Sequence, residues 1–262
     1  MERVLVTGCS TGIGREVAIE LTRKGYEVVA TARDKAQLAD LDVAQRLCLD
    51  VTDDASVAAA VEAAGPIDVL INNAGISVWG PIETTPLDAV QSIFETNVLG
   101  VVRVTQAFLP AMRERGRGAV VNMSSAAGRT RARPILGWYS ATKHALEVLT
   151  EVLRWEVGHL GIRVILIEPG AVESNFPQNR KVAGLDRPPY DEIGRRFMAT
   201  VAAQRTTPYP ASEVAAVVVQ ALAEETPRLR WYGSPDAEEL IEKSLSATDE
   251  ETERAMRSML NS

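Results

Sequence analysis

The most restrictive feature of this 262-residue chain is the alternation of two hydrophobic periods. Short apolar runs at 3–7, 26–32, 46–49, 67–71, 119–123 and 162–167 have no polar face, as strands covered on both sides require. Between them, apolar residues recur at helical spacing over 13–24 (Ile13, Val17, Leu21), 56–63, 87–114 and 138–160. A strand–helix–strand rhythm predicts α/β architecture: one doubly wound, Rossmann-type parallel sheet with helices on both faces. Hydrophobic residues make up 46% of the chain, enough for one large core, so a single domain over 1–262 is expected. Aromatics are only 5%, which suits helices packed closely on a sheet.

The rhythm breaks after Pro169. Residues 175–210 are polar, with Pro177, Pro188, Pro189, Pro208 and Pro210 interrupting any long element. An irregular stretch of this length within a compact domain is usually functional, so a substrate lid after the sixth strand is expected there. Helix resumes over 211–224, a last strand fits 229–232, and two helices over 236–245 and 249–260 form a C-terminal tail, 235–262. Thr248 and Glu251 have the spacing of a capping box for the second.

The net charge of −7 argues against nucleic-acid binding, which needs a basic surface. Much of it lies in the tail, where eight acids from Asp236 to Glu253 face three bases, Lys243, Arg254 and Arg257. A solvated helix face accounts for that. The two cysteines, Cys9 and Cys48, have neither ligand spacing nor a disulfide framework, as expected in a reducing compartment. No apolar run has the length of a membrane span, and Met1 leads almost directly into a strand. A soluble cytoplasmic protein is the expectation.

Thr7-Gly8-Cys9-Ser10-Thr11-Gly12-Ile13-Gly14 joins the first strand to the first helix. Glycines at such a turn let the backbone reverse tightly and approach a pyrophosphate, with the helix N-terminal amides facing the phosphates. A tight strand-to-helix turn needs glycines too, so the motif gains weight from its place in a βαβ unit. The end of the next strand should choose the cofactor. An acid there would hold the ribose hydroxyls of NAD, whereas a base would hold the 2′-phosphate of NADP. The strand ends Ala30-Thr31-Ala32-Arg33-Asp34, with Ala32 in the acid's place and Arg33 beside it. Guanidinium suits phosphate, so NADP(H) is favoured. A one-residue shift would bring Asp34 into place and keeps NAD(H) open.

With these motifs the chain resembles the short-chain dehydrogenase/reductase family over roughly residues 3–233. The features arrive in the family's order: the TGxxxGxG turn; Asn72-Asn73-Ala74-Gly75 after the fourth strand; Asn97 in a long helix; Ser124-Ser125 at the end of the fifth strand; Tyr139-x-x-x-Lys143 opening the next helix; and Pro169-Gly170 after the sixth. Tyr139 and Lys143, four apart, share a helix face, and a nearby ammonium stabilises a phenolate. Tyr139 then becomes a usable general acid or base. The resemblance implies that Lys143 also binds the nicotinamide ribose, that Ser125 orients the substrate oxygen, and that Asn97 holds a water linking Lys143 to solvent. It further implies cofactor contacts from Gly8, Ser10, Thr11, Gly12, Ile13 and Gly14 in the turn, and from Arg33. Asp50 and Val51 should meet the adenine, while Asn73, Ala74 and Gly75 line the cleft. Pro169, Gly170, Val172 and Ser174 should meet the nicotinamide end; the family often has threonine in place of Ser174. Subunits of this family pair through the two long helices, so a homodimer or homotetramer is expected.

One departure stands out. The family usually places thirteen residues from serine to tyrosine; Ser125 to Tyr139 is fourteen. Either the basic loop Arg129–Pro134 carries an insertion, or Ala126 occupies the serine position and Ser125 is displaced. Arg129, Arg131 and Arg133 read as a solvated loop, with attraction of an anionic substrate as the alternative. The only histidines, His144 and His159, lack zinc-ligand spacing, and no metal is expected.

The reaction implied is interconversion of a carbonyl and an alcohol with a nicotinamide cofactor. A non-catalytic redox sensor would have no need of the Ser–Tyr–Lys set. An epimerase or dehydratase of related fold would have a different glycine spacing and a larger C-terminal domain. The substrate should be set by Trp138, the loop 77–85 and the lid, which offers Phe176, Tyr190, Phe197 and Met198. An apolar, polycyclic or long-chain carbonyl fits, as does a likeness to steroid- and retinoid-type members.

Overall fold

The computed structural model describes residues 1–131, 133–173, 180–203 and 208–261. Its centre is a seven-stranded sheet. In chain order the strands are β1 (Arg3–Val6), β2 (Glu27–Ala32), β3 (Gln45–Cys48), β4 (Val69–Asn72), β6 (Gly118–Met123), β7 (Ile162–Glu168) and β11 (Arg230–Tyr232). Their spatial order is β11-β7-β6-β4-β1-β2-β3, and every pairing is parallel. The order reverses at β1 and β4, and such a switch point opens a crevice at the C-terminal strand ends.

Alternate side chains of each strand serve separate cores, which is why the strands read as continuous apolar runs. Val4 and Val6 point to one face, where Val17, Ala18 and Leu21 of α1 (Gly12–Arg23) meet Val214, Ala215 and Val218 of α7 (Ala211–Ala223). Leu5 points to the other, against Val57 and Ala60 of α2 (Asp54–Ala64) and Val104, Phe108 and Met112 of α4 (Gly100–Arg115).

Three local features depart from the sequence expectation. The long helix predicted over 87–114 is α3 (Leu87–Phe94) and α4 joined through a π-helical turn, Glu95–Leu99, which carries Asn97. The prolines of 175–210 bracket an element rather than interrupt it: α6 (Tyr190–Ala203) starts directly after Pro189. Short strands also form where none is predicted, β5 (Ser77–Trp79) with β9 (Arg180–Val182), and β8 (Val172–Glu173) with β10 (Tyr209–Pro210). They fasten the segment after β7 onto the crevice. Helices α5 (Gly137–Val157), α8 (Pro235–Ser246) and α9 (Asp249–Asn261) complete the chain. The capping box forms at α9, with Glu251 N donating to Thr248 Oγ1 at 3.2 Å and Thr248 N to Glu251 Oε2 at 2.8 Å. Among the described residues no helix is long and apolar enough to cross a membrane.

Candidate active site

A cleft of about 670 Å³ opens at the C-terminal ends of the central strands. The glycine turn forms one wall through Gly8, Ser10, Thr11, Gly12 and Ile13. Gly8 (φ 74°) and Gly12 (φ 61°) take left-handed backbone that β-carbons disfavour. Gly14 does not line the cleft. A Cβ there would overlap the Asn73 amide and the Gly8 carbonyl oxygen. Asn73 is the clamp of this turn: its Nδ2 donates to Thr7 O (2.9 Å) and Gly8 O (3.1 Å), and its backbone N–H donates to Thr7 Oγ1 (2.9 Å). Its neighbour Ala74 donates to the same hydroxyl at 3.0 Å. A Cβ on Gly8 would stand 2.9 Å from Ala74 Cα, so the two loops touch along their backbones. This is a cradle shaped for backbone contact with a phosphate group, and the residues fit a dinucleotide.

At the next wall β2 ends at Ala32, and Arg33 projects beyond it, exposed on the cleft. The Asp34 carboxylate accepts from Ala36 N at 2.9 Å as the cap of a short 3₁₀ turn, Lys35–Leu38. Asp34 and Gln37 also reach the cleft, as do Asp50, Val51 and Thr52.

The deep end holds Ser125, Tyr139 and Lys143, together with Met123 and Ser124 of the β6 end. Ser125, rather than Ala126, meets the tyrosine: its hydroxyl faces the Tyr139 phenol and accepts from Ala127 N at 3.2 Å. Ala126 is buried against Ala237 and Ile241. The fourteen-residue spacing is therefore taken up by the loop. Ile135 there adopts φ 71°, a costly backbone for a β-branched residue, and its carbonyl accepts from Gly80 N at 2.8 Å. Two of the loop's three arginines are tied down rather than solvated. Arg129 pairs with Glu168 at 3.2 Å, and Arg131 binds the Ala247 carbonyl at 2.8 Å and the Asp249 carboxylate.

Lys143 Nζ donates to Met123 O at 2.8 Å and lies 5.9 Å from the centre of the Tyr139 ring. Burial pushes the Tyr139 phenol up to about 12, against the facing Ser125 hydroxyl, which lowers it. Burial also draws the Lys143 ammonium down to about 8, with the negative charge of Glu147 opposing. The expected depression of the phenol by its neighbour is absent in this arrangement, because the ammonium is turned to a carbonyl and desolvation dominates. Asn97 is buried outside the cleft lining, and Ile76 engages it. Its Oδ1 accepts from Ile76 N (2.9 Å), while Nδ2 donates to Ile76 O (2.9 Å) and Thr142 Oγ1 (3.2 Å). It thereby ties the strand-β4 loop to α5, and one Oδ1 lone pair is left for a further contact.

The sequence reading missed a charged cluster behind Lys143. Glu147, one turn on, pairs with Arg230 at 2.9 Å, and Arg230 and Arg129 both reach Glu168, which is fully buried. Burial, then the charge of Glu147, raises the Glu168 carboxyl to about 7. The i,i+4 spacing of Lys143 and Glu147 was the one local hint.

The third wall is Pro169, Gly170, Ala171 and Val172, with Pro208 nearby. Ser174, Phe176 and Pro177 lie outside the described residues. Trp138 is not on the cleft; Ile76 and Trp79 are. Trp79 packs edge-on against the buried Phe197 of α6, ring centres 5.7 Å apart, and donates to Ser77 Oγ at 2.8 Å. Tyr190 binds the Glu83 carboxylate. Trp231 is buried, with its indole N–H on Arg228 O at 3.1 Å.

Fold and cleft define a doubly wound α/β protein with a glycine cradle at one end of its crevice and a Ser–Tyr–Lys cluster at the other. Residues 2–183 match the model of the short chain dehydrogenase family. An uncharacterized oxidoreductase of Bacillus subtilis is 42% identical over 185 residues, which are 66% of this chain and 65% of that protein's length. A 3-ketodihydrosphingosine reductase of Bacteroides thetaiotaomicron is 32% identical over 249 residues, 93% of this chain and 91% of that one. The crystal structure of a short-chain dehydrogenase from Streptomyces avermitilis superposes with a TM-score of 0.83 at 36% identity, over 97% of this chain and 93% of that one. The chain belongs to the short-chain dehydrogenase/reductase family, a family of NAD(P)-dependent oxidoreductases.

Proposed function

We propose that the protein interconverts a carbonyl and an alcohol with NADP(H) as redox partner, Tyr139 being the proton donor and acceptor. The observation that carries this is the joint presence of Ser125, Tyr139 and Lys143 at the deep end of the cleft, with the Ser125 hydroxyl facing the Tyr139 phenol. Gly8, Ser10, Thr11, Gly12 and Ile13 would hold the pyrophosphate, and Gly14 leaves Asn73 room to clamp that turn. Asp50 and Val51 would flank the adenine, and Ala74 and Gly75 the middle of the cleft. Pro169, Gly170 and Val172 would flank the nicotinamide, which when bound supplies or accepts the hydride. Arg33 supports NADP(H), since it follows β2 on the cleft while the Asp34 carboxylate is occupied as a cap.

In reduction, Ser125 orients the carbonyl oxygen by a hydrogen bond. The Tyr139 O–H passes its proton to that oxygen as the carbon takes the hydride, leaving alcohol and phenolate. A phenol raised to about 12 keeps this proton until the substrate oxygen becomes the stronger base. Lys143 and its charge stabilise the phenolate that results, and Asn97, with its remaining lone pair, holds the water that returns a proton. Oxidation runs the same transfers backwards.

The substrate end is apolar, with Ile76 and Trp79 on the cleft and Phe197 behind. A long-chain or polycyclic ketone suits it, in line with the similarity to the sphingoid ketone reductase. The segment 175–210 serves as its lid within a single catalytic domain that also includes the 235–262 tail. Exposed Val148, Val152 and Trp155 on α5 support pairing of subunits into a dimer or tetramer through this helix. Two free cysteines, one of them exposed, suit the reducing cytoplasm. Turnover of a panel of apolar ketones with NADPH tests the reading. Tyr139→Phe should lose at least about 100-fold in kcat while still binding NADPH; full activity in that variant would overturn it.

A further inference from the structure

The segment after β11 lies beyond the residues that match the family model, yet it touches the cleft wall at several points. Gly233 N donates to Glu168 O at 2.9 Å, and a Cβ on Gly233 would stand 2.9 Å from Pro169 Cα. Ser234 is buried at the N-cap position of α8, where a serine hydroxyl ordinarily accepts from the helix's own first amides. Here it makes no such bond and accepts instead from Gly170 N at 3.0 Å. Asp236 Oδ2 accepts from Ala171 N at 2.8 Å, and the carboxylate fills the space beside Gly170, its Cγ 2.6 Å from where a Cβ would lie. Both free amides of the turn that closes the cleft are thus held by the start of α8.

The rest of α8 reaches the catalytic side. Ala237 and Ile241 pack on Ala126, the residue after Ser125. At the helix's far end, Arg131 N donates to Ser244 Oγ at 2.7 Å, and its guanidinium takes the Ala247 carbonyl and the Asp249 carboxylate. The enlarged Ser125–Tyr139 loop therefore ends on α8.

We propose that α8 positions both halves of the site: Ser234 and Asp236 set the Gly170–Ala171 turn against the cofactor, and Arg131 anchors the loop that carries Ser125. This rests on the reading of the cleft as a dinucleotide and carbonyl site. Asp236 and Arg131 are positioning residues, acting through backbone and through Ser125. Asp236 opens α8 and Arg131 meets its opposite end, which gives them different kinetic signatures.

The test uses the full chain and NADPH as probe, followed by fluorescence. Asp236→Ala should weaken NADPH binding about tenfold, the effect of losing one charge-assisted hydrogen bond. Asp236→Asn, which keeps an oxygen acceptor for Ala171 N, should recover to within about threefold. Arg131→Ala should lower kcat for the best ketone with NADPH affinity unchanged. If Asp236→Ala does not fold, Ser234→Ala takes its place with the same expectation for NADPH affinity. A merely structural role predicts a lower Tm with unaltered NADPH affinity below it, and that result would overturn the proposal. So would equal losses in the Ala and Asn variants. Tyr139→Phe run in parallel separates the two failures. If it keeps full turnover, the reading of the site fails; if it loses turnover while Asp236→Ala binds normally, only the α8 proposal fails.

Discussion

A Cβ on Gly14 would fall on the side-chain amide of Asn73, the group that holds the turn by donating to Thr7 O and Gly8 O at 2.9 and 3.1 Å. The two residues are 59 positions apart in the chain. A helix position needs no glycine for its own sake, so Gly14 is explained by the close approach of Asn73 and of the Gly8 carbonyl oxygen. Gly14→Ala should displace Asn73 and destabilise the protein by about 1–3 kcal/mol, the usual cost of overpacking. Urea denaturation would measure it, and NADPH affinity should fall with it. An alanine variant as stable as the parent would show that the clamp is dispensable.

Arg33 lies exposed on the cleft just beyond the end of β2. Arg33→Ala should weaken NADPH binding by about tenfold or more through loss of a charge-assisted contact, and leave NADH binding unchanged. Fluorescence titration with both dinucleotides reads the difference. Parallel weakening of the two would assign Arg33 to the cleft rim rather than to a 2′-phosphate.

Lys143 has its ammonium lowered from 10.5 to about 8 by burial. Below pH 8 the folded and unfolded chains both carry the charge, and holding it buried costs roughly 3 kcal/mol. Between pH 8 and 10.5 the folded state sheds its proton first, so the cost is relieved as pH rises. The stability of wild type relative to Lys143→Met should therefore improve over that interval and be flat below it. Chemical denaturation at pH 7, 8, 9 and 10 provides the comparison, and a pH-independent difference would contradict it.

Trp79 joins the cleft to α6 through Phe197. Trp79→Ala should raise KM for a long-chain ketone by about tenfold through loss of a large aromatic contact. A short ketone and NADPH should bind as before. An equal effect on short and long substrates would remove Trp79 from the substrate end.

Local rules carried the sequence reading a long way. Hydrophobic period set the order of strands and helices and hence the doubly wound sheet, because burial on both faces leaves its mark on every strand. The glycine turn was legible because left-handed backbone at Gly8 and Gly12 is a local requirement. Tyr139 and Lys143 were legible because four residues make one helical turn. The bracketing of α6 by prolines was misread, since the same residues that break a helix also begin one.

What the tertiary structure alone decided are contacts between residues far apart in the chain. Nothing in the order of residues says that Ser125 rather than Ala126 meets Tyr139, or that burial rather than the neighbouring ammonium sets the phenol. Arg131 reads as a solvated loop residue until Ser244, 113 positions away, is brought beside its backbone. Glu147 and Glu168 come to share Arg230 only when α5, β7 and β11 are packed together. Periodicity records which face of an element is buried, whereas the identity of the partner depends on how the elements pack, and the chemistry of this cleft lies in those partners.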